Sequence, residues 1–210
     1  MANQYSRLSY NSKGRVLSFW YQASEALELQ PEKVLVVGKG SGITEGLIQS
    51  MSPKKIRIYT LDIDKIVAPD IVGTVTMLPF KDDSFDVSIC CQVLEHMPFD
   101  RFGPALQELR RVTSTRLVMS LPHGRKFVKL AFRIPPMRER TLIIKNPFNR
   151  KVNTSRHHCW EINRTVTRKQ VTNEIRKYFD LEREYLNEMN CYHRFYILRK
   201  ANVTGETARQ

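Results

Sequence analysis

Apolar positions along the chain change period several times, and each change marks an element. Val16, Trp20, Ala23 and Leu27 recur at i, i+4, i+7 and i+11, which predicts a helix over 13–29, ended by Pro31. Val34-Leu35-Val36-Val37 is unbroken, mostly β-branched and too short for a helix, so it predicts a buried strand. Gly38-Lys39-Gly40-Ser41-Gly42 follows at once, and residues 43–48 resume at helical spacing until Pro53. A second strand alternates over 56–61 and ends in Asp62-Ile63-Asp64. A short third strand is predicted over 70–75, and a fourth over 85–91, central by its apolarity. Phe102, Leu106 and Leu109 mark the next helix, and Leu117 to Leu121 a fifth strand closed by Pro122. A last helix over 167–178 leads into strands over 179–186 and 191–198, joined by Asn187-Glu188-Met189-Asn190. Strands alternating with helices at this spacing predict an α/β fold whose sheet is mostly parallel and covered on both faces.

The glycine turn carries the first chemical signal. Glycine lets the chain bend tightly and lets backbone approach a ligand with no Cβ in the way. Strand, glycine turn and helix together hold nucleotide-like ligands at the C-terminal edge of an open sheet. The dinucleotide fingerprint wants a further glycine at position 43, where Ile43 stands, which counts against NAD. Asp62 lies 24 residues after Gly38. A carboxylate at the tip of the second strand can take two hydrogen bonds from the hydroxyls of a ribose; otherwise it is a loop acid or a helix cap. Asp64 fits the cap.

Charge adds a second signal. The 210-residue chain has a formal net charge of +13, which points to an anionic partner. Residues 124–156 concentrate it, with ten Lys or Arg against the single acid Glu139. Phe127, Leu130, Ala131 and Ile134 fall at i, i+3, i+4 and i+7 there, which predicts a short basic amphipathic helix. Such a stretch after the fifth strand can be a lid over a substrate, a contact with an anionic membrane or with a nucleic-acid backbone, or a solvated connection. Cys90, Cys91, Cys159 and Cys191 form no C-x-x-C pair and read as free thiols of a reducing compartment. The five histidines are not at metal-ligand spacing, so no metal is expected. With no membrane-spanning apolar run and no signal-peptide pattern, the expected location is the cytoplasm, or the periphery of an anionic membrane.

The order of motifs resembles a known family. V-L-V-V-G-K-G-S-G, L-D-I-D, and L-P-F-K-D-D-S-F-D-V-S-I-C-C-Q-V-L-E-H together are similar to the class I S-adenosylmethionine-dependent methyltransferases, especially their small-molecule group. That resemblance implies a Rossmann-like seven-stranded sheet in the order 3-2-1-4-5-7-6, with a C-terminal antiparallel hairpin. It implies one methyltransferase domain over 1–200, with an N-terminal arm over 1–12, a basic insertion over 123–160 and a tail over 201–210. Gly38, Lys39, Gly40, Ser41 and Gly42 would then pass under the methionine part of S-adenosyl-L-methionine. Asp62 would hold the ribose and Ile63 would lie against the adenine. Thr74, Val75 and Leu78 would lie near the adenine edge, and Cys91 and Gln92 beside the sulfonium. Two departures stand out: the family usually has acids where this chain has Val36 and Thr74, which removes anchors for the ammonium and the adenine amino group.

Methyl transfer from a sulfonium is an in-line displacement, so the protein mainly aligns the acceptor and excludes water. A hydroxyl acceptor also needs a base, and His123, at the tip of the fifth strand, and His158, beyond the basic stretch, are the catalytic candidates. His96, after Glu95 at the start of a helix past the fourth strand, is a third candidate near the cofactor but reads rather as a packing residue at a helix terminus, and His193 reads as structural. No N-P-P-Y-like motif and no P-C nucleophile follow the fourth strand. The acceptor expected is a small or lipid-linked anionic molecule. The alternatives are a catalytically inactive binding protein of the same fold and an RNA methyltransferase.

Overall fold

The computed structural model describes residues 11–124, 127–132, 140–145 and 157–201. Its elements run α1 (Lys13–Leu27), β1 (Lys33–Val37), α2 (Ile43–Met51), β2 (Arg57–Asp62), β3 (Ile71–Val72), β4 (Phe85–Cys91), α3 (Phe102–Val112) and β5 (Thr113–Pro122). Then come β6 (Phe127–Phe132), β7 (Arg140–Lys145), α4 (Arg168–Ile175), β8 (Phe179–Asn187) and β9 (Asn190–Lys200). Seven strands form one sheet in the order β3-β2-β1-β4-β5-β9-β8. The first five pair in parallel, and β9 and β8 close the edge antiparallel. Setting aside the separate β6–β7 ribbon, this is the 3-2-1-4-5-7-6 order implied by the family resemblance.

The run Val34 to Val37 is continuously apolar because β1 is covered on both faces. Val34 and Val36 join a cluster with Ala23, Ala26 and Ile48 under α1 and α2. Leu35 and Val37, pointing the other way by strand alternation, join Leu106, Leu109, Val171 and Ile175 under α3 and α4. Truncating Leu35 to alanine here would cost about 2–5 kcal/mol through lost burial and the cavity left behind. The order in which strands are added reverses between the parallel neighbours β1 and β4, so the connections after them diverge and leave a crevice at the C-terminal strand ends.

Three expectations need correction. The stripe on α1 is only half buried: Val16 and Trp20 are exposed, while Ser18, Gln22, Ala23, Glu25 and Ala26 face inward. Polar groups bury without loss when they find partners. Gln22 accepts from the Thr44 hydroxyl at 2.7 Å, and Glu25 from the Tyr185 hydroxyl at 2.7 Å. The third strand is reduced to Ile71 and Val72; Thr74 instead bridges to Met77 in a local turn. Finally, residues 127–132 form no helix. They pair antiparallel with 140–145, from Phe127 opposite Lys145 to Phe132 opposite Arg140. Val128, Phe132, Ile143 and Ile144 are strand-favouring types, and a paired partner segment outweighs helical spacing shared by only four residues. Residue 134 and most of the basic stretch lie outside the described residues, as do 1–10 and 202–210. Among the described residues, no helix is long and apolar enough to cross a membrane.

Candidate active site

Two groups of residues meet at the crevice. The first is built on β1 and β2. Gly38 leaves β1 with φ +83°, its N–H donating to the Leu61 carbonyl at 2.8 Å. A Cβ there would come within 2.4 Å of a Val93 methyl, so both conformation and space demand glycine. Gly42 then starts α2 in the left-handed region. Asp62 turns its carboxylate across this bend: Oδ2 lies 3.4 Å from the Gly40 nitrogen, and Oδ1 accepts from the Asp64 N–H at 2.9 Å. Asp64 caps the following short turn by accepting from the Ile66 N–H at 2.9 Å, as its spacing predicted. Past Asp62 the surface is unusually apolar. Ile63 is 79% exposed and Met77 74%, with Ile66 and Val72 also open to solvent. Exposed apolar groups beside a carboxylate suit a flat, partly apolar ligand carrying hydroxyls.

The remaining residues expected near a cofactor are distributed unevenly. Val75 and Leu78 are buried in the core beneath the crevice, and Thr74 shares a hydrogen bond with the Thr76 hydroxyl at 3.1 Å. Val36, where an acid was expected, is also core. The Cys91 thiol is pushed up to about 12 by burial and stays protonated at neutral pH. Gln92 ends β4 at φ +56°, a strained value for a side-chain-bearing residue, and is pinned to Ser120 by N–H to carbonyl at 2.9 Å and Nε2 to Oγ at 3.3 Å. Lys39 reaches the Ala68 carbonyl at 2.5 Å. Beside it, Gly42, Glu45, Thr60 and Asp70 line a cavity of about 290 Å³ between α2 and β2. The Glu45 carboxylate is buried there with no hydrogen-bond partner, and burial raises its pKa.

The second group comes from β4, β5, β9 and the segment 157–161. That segment docks on the turn after β4. The Cys159 N–H donates to the Glu95 carbonyl at 2.8 Å, Trp160 Nε1 donates to the Met97 carbonyl at 3.0 Å, and the Trp160 ring packs on Phe99 and Phe102. His96 and His158 are thereby brought edge to face, with ring centroids 5.0 Å apart. His158 Nδ1 lies 3.1 Å from Glu161 Oε1, and Glu161 also takes the Tyr192 hydroxyl at 2.7 Å and Arg164 at 2.7 Å. Burial lowers the His158 pKa against the opposing pull of Glu161. Glu95 is fully buried, both its carboxylate oxygens lack a hydrogen-bond partner, and burial raises its pKa to about 8.

The two catalytic candidates therefore differ in setting. His123 is 2% exposed; Nδ1 accepts from Arg194 Nε at 3.0 Å and Nε2 is 3.1 Å from the Asn163 amide nitrogen, so both ring nitrogens are engaged. The bond from Arg194 leaves the ring proton on Nε2, and the Asn163 carbonyl oxygen, exchanged with its nitrogen, would accept it. Among the described residues, the hydrogen bonds of the His158 ring go to Nδ1 alone. His193 is buried against the Ser18 hydroxyl at 2.8 Å, with its pKa lowered to about 3 by burial, which suits a structural role. Sequence reasoning gave Glu95, Glu161 and Tyr192 no part in a site. Glu95-His96 and His157-His158-Cys159-Trp160-Glu161 were each visible as short clusters, but nothing in the spacing said that they meet.

Residues 35–116 match the model of a methyltransferase domain family. No curated protein matches the sequence. Solved structures share the fold at low identity. A Pyrococcus horikoshii OT3 protein superposes with a TM-score of 0.62 at 14% identity, over 95% of this chain and 94% of that one. The 1,6-didemethyltoxoflavin-N1-methyltransferase of Burkholderia thailandensis, solved with S-adenosylhomocysteine, gives 0.58 at 13% identity over 88% and 79%. The cyclase SpnF gives 0.58 at 13% identity over 88% and 80%, so one fold here carries more than one reaction.

Proposed function

We propose that the chain is a class I S-adenosylmethionine-dependent methyltransferase, a reading supported by the domain match over 35–116 and the strand order, and that it methylates a small or lipid-linked anionic acceptor at oxygen or nitrogen. The observation that carries this reading is the position of Asp62, turned onto a glycine bend beside exposed Ile63 and Met77. An adenosyl group fits there with its ribose hydroxyls on the carboxylate and its base on the apolar side chains. The glycine bend, free of Cβ atoms, then receives the rest of S-adenosylmethionine. The cofactor supplies an activated methyl group. The protein's part is to align the acceptor and keep water out.

The acceptor enters from the β4–β5 side. His158 presents Nε2 there while Glu161 and Tyr192 hold its other nitrogen, so it is placed to receive the proton that a hydroxyl or amine gives up. The preference for an anion rests on charge. The basic stretch departs after Gly124 and returns at His157, whose carbonyl lies 2.8 Å from His96 Nδ1, so it begins and ends at this side of the crevice. Membrane-peripheral placement in the cytoplasm follows if the acceptor is lipid-linked.

The experiment is incubation of cell extract with the protein and isotope-labelled S-adenosylmethionine, followed by identification of the labelled product. A labelled small anion or anionic lipid is expected. Label in RNA would overturn the acceptor assignment. No label anywhere, with S-adenosylhomocysteine still bound in calorimetry, would favour a second reading, a non-catalytic binding protein. Val36 and Thr74 in place of acids motivate that alternative.

A further inference from the structure

The cluster at the acceptor side has the composition and wiring of a metal site. One ligand atom from each of Glu95, His96 and His158 lies within 4.8 Å of the others. We propose that these three residues bind a divalent transition-metal ion, Zn2+ by their chemistry, with a coordination position left for the methyl acceptor. This deepens the methyltransferase reading and rests on it for the role of the ion, though not for its binding.

Three observations converge. Glu95 is fully buried, yet neither carboxylate oxygen has a hydrogen-bond partner among the described residues. Burying such a group without compensation costs several kcal/mol, about 1–3 kcal/mol even for a neutral polar atom, so an orphaned carboxyl facing two imidazoles calls for a partner. A cation satisfies it. Next, each imidazole is held through Nδ1. His96 Nδ1 lies 2.8 Å from the His157 carbonyl, which can only accept, so that nitrogen carries the proton. His158 Nδ1 lies 3.1 Å from Glu161, which fixes the same tautomer. Both rings therefore offer the Nε2 lone pair. Metal-binding histidines are oriented this way, by an outer carbonyl or carboxylate on the second nitrogen. Finally, two imidazoles and one carboxylate form a three-ligand set that suits Zn2+ with a fourth position open for reaction.

The ion changes the part played by His158. Its Nε2 becomes a ligand, and the acceptor is activated by coordination instead. A hydroxyl bound at the open position loses its proton to solvent water, because the ion stabilises the resulting alkoxide or phenolate. That oxygen then forms the new bond to the methyl carbon as the carbon–sulfur bond breaks, and the electron pair leaves on sulfur, giving neutral S-adenosylhomocysteine.

The test is calorimetry of the full chain, first stripped with chelator, titrated with Zn2+ alone. One ion per chain is expected, with affinity lowered at least about tenfold in Glu95→Gln and in His158→Ala. S-adenosylhomocysteine affinity should stay within about twofold in both variants, which shows them folded and separates this claim from the methyltransferase assignment itself. Cys159→Ser should leave Zn2+ binding unchanged, since the thiol lies outside the ligand set. The absorption spectrum of the Co2+-loaded wild type gives an independent readout: visible bands without thiolate charge transfer are expected. Absence of a one-to-one Zn2+ site, equal affinity in the Glu95 and His158 variants, or thiolate bands with Co2+ would each overturn the proposal.

Discussion

The two halves of the crevice are built in different ways. The half proposed for the cofactor is local: Gly38, Gly42, Asp62 and Ile63 sit at the ends of two adjacent strands, held by hydrogen bonds within and between neighbouring turns. The half proposed for the acceptor is assembled from afar. Glu95 and His96 follow β4, His158 and Glu161 arrive after the basic stretch, and Tyr192 comes from β9. The first half is open and has exposed apolar groups; the second is closed around buried, hydrogen-bonded or orphaned ionisable groups. One half is thus held by turns of the sheet itself, while the other depends on a segment that returns after the basic stretch. Binding of the methyl donor and selection of the acceptor should therefore separate under mutation.

The largest effect tests the local half. Gly38→Ala should abolish measurable S-adenosylhomocysteine binding, a loss of roughly a hundredfold or more, since a side chain at positive φ costs about 1–3 kcal/mol before the clash with Val93 is added. Adding Val93→Ala should recover part of it in calorimetry; no recovery would mean that the clash is irrelevant. Asp62→Asn should weaken binding about tenfold to a hundredfold, the range of hydrogen bonds to a charged group at about 1.5–3 kcal/mol. An unchanged dissociation constant would put the ribose elsewhere.

On the assembled half the split should invert. Glu161→Gln should lower kcat by about tenfold to a hundredfold, because His158 loses the group that orients it. Tyr192→Phe should cost less, about fivefold to tenfold for one hydrogen bond of about 1 kcal/mol. Neither should move S-adenosylhomocysteine affinity by more than about twofold. A variant that lost both together would erase the distinction between the halves.

The smallest effect at neutral pH is expected at His193, which serves the frame rather than either half. Its folded pKa lies near 3, below its ordinary value of 6.5, because it is buried. Between those values the unfolded chain binds the extra proton, so stability is present above about pH 6.5 and is lost as pH falls toward 3. His193→Asn should flatten this dependence in denaturant melts, relative to wild type. An identical slope would show that another group governs acid unfolding.

How much of this was legible follows the same divide. The glycine bend and the placement of Asp62 beside it are legible because each depends on neighbours in sequence or on alternation along a strand, whereas the strand order came only with the family resemblance. The buried side of α1 was misread, since Ser18, Gln22 and Glu25 look like solvent-facing residues until their distant partners Asn187, Thr44 and Tyr185 are known. The strand over 127–132 reads as a helix in the sequence because four apolar residues satisfy a helical spacing and its strand partner over 140–145 is invisible to it. Glu95 and His158 carried no signal of proximity. Their meeting depends on Trp160 anchoring a returning segment on the turn after β4.

We propose that Asp62 and the glycine bend hold the adenosyl part of the methyl donor, with the sulfur directed toward Glu95, His96 and His158. A crystal structure with S-adenosylhomocysteine tests it most directly. Both ribose hydroxyls are expected within hydrogen-bond distance of the Asp62 carboxylate, the base against Ile63, and the sulfur facing the histidine cluster. Ribose hydroxyls turned away from Asp62, or a ligand seated outside the crevice, would contradict it.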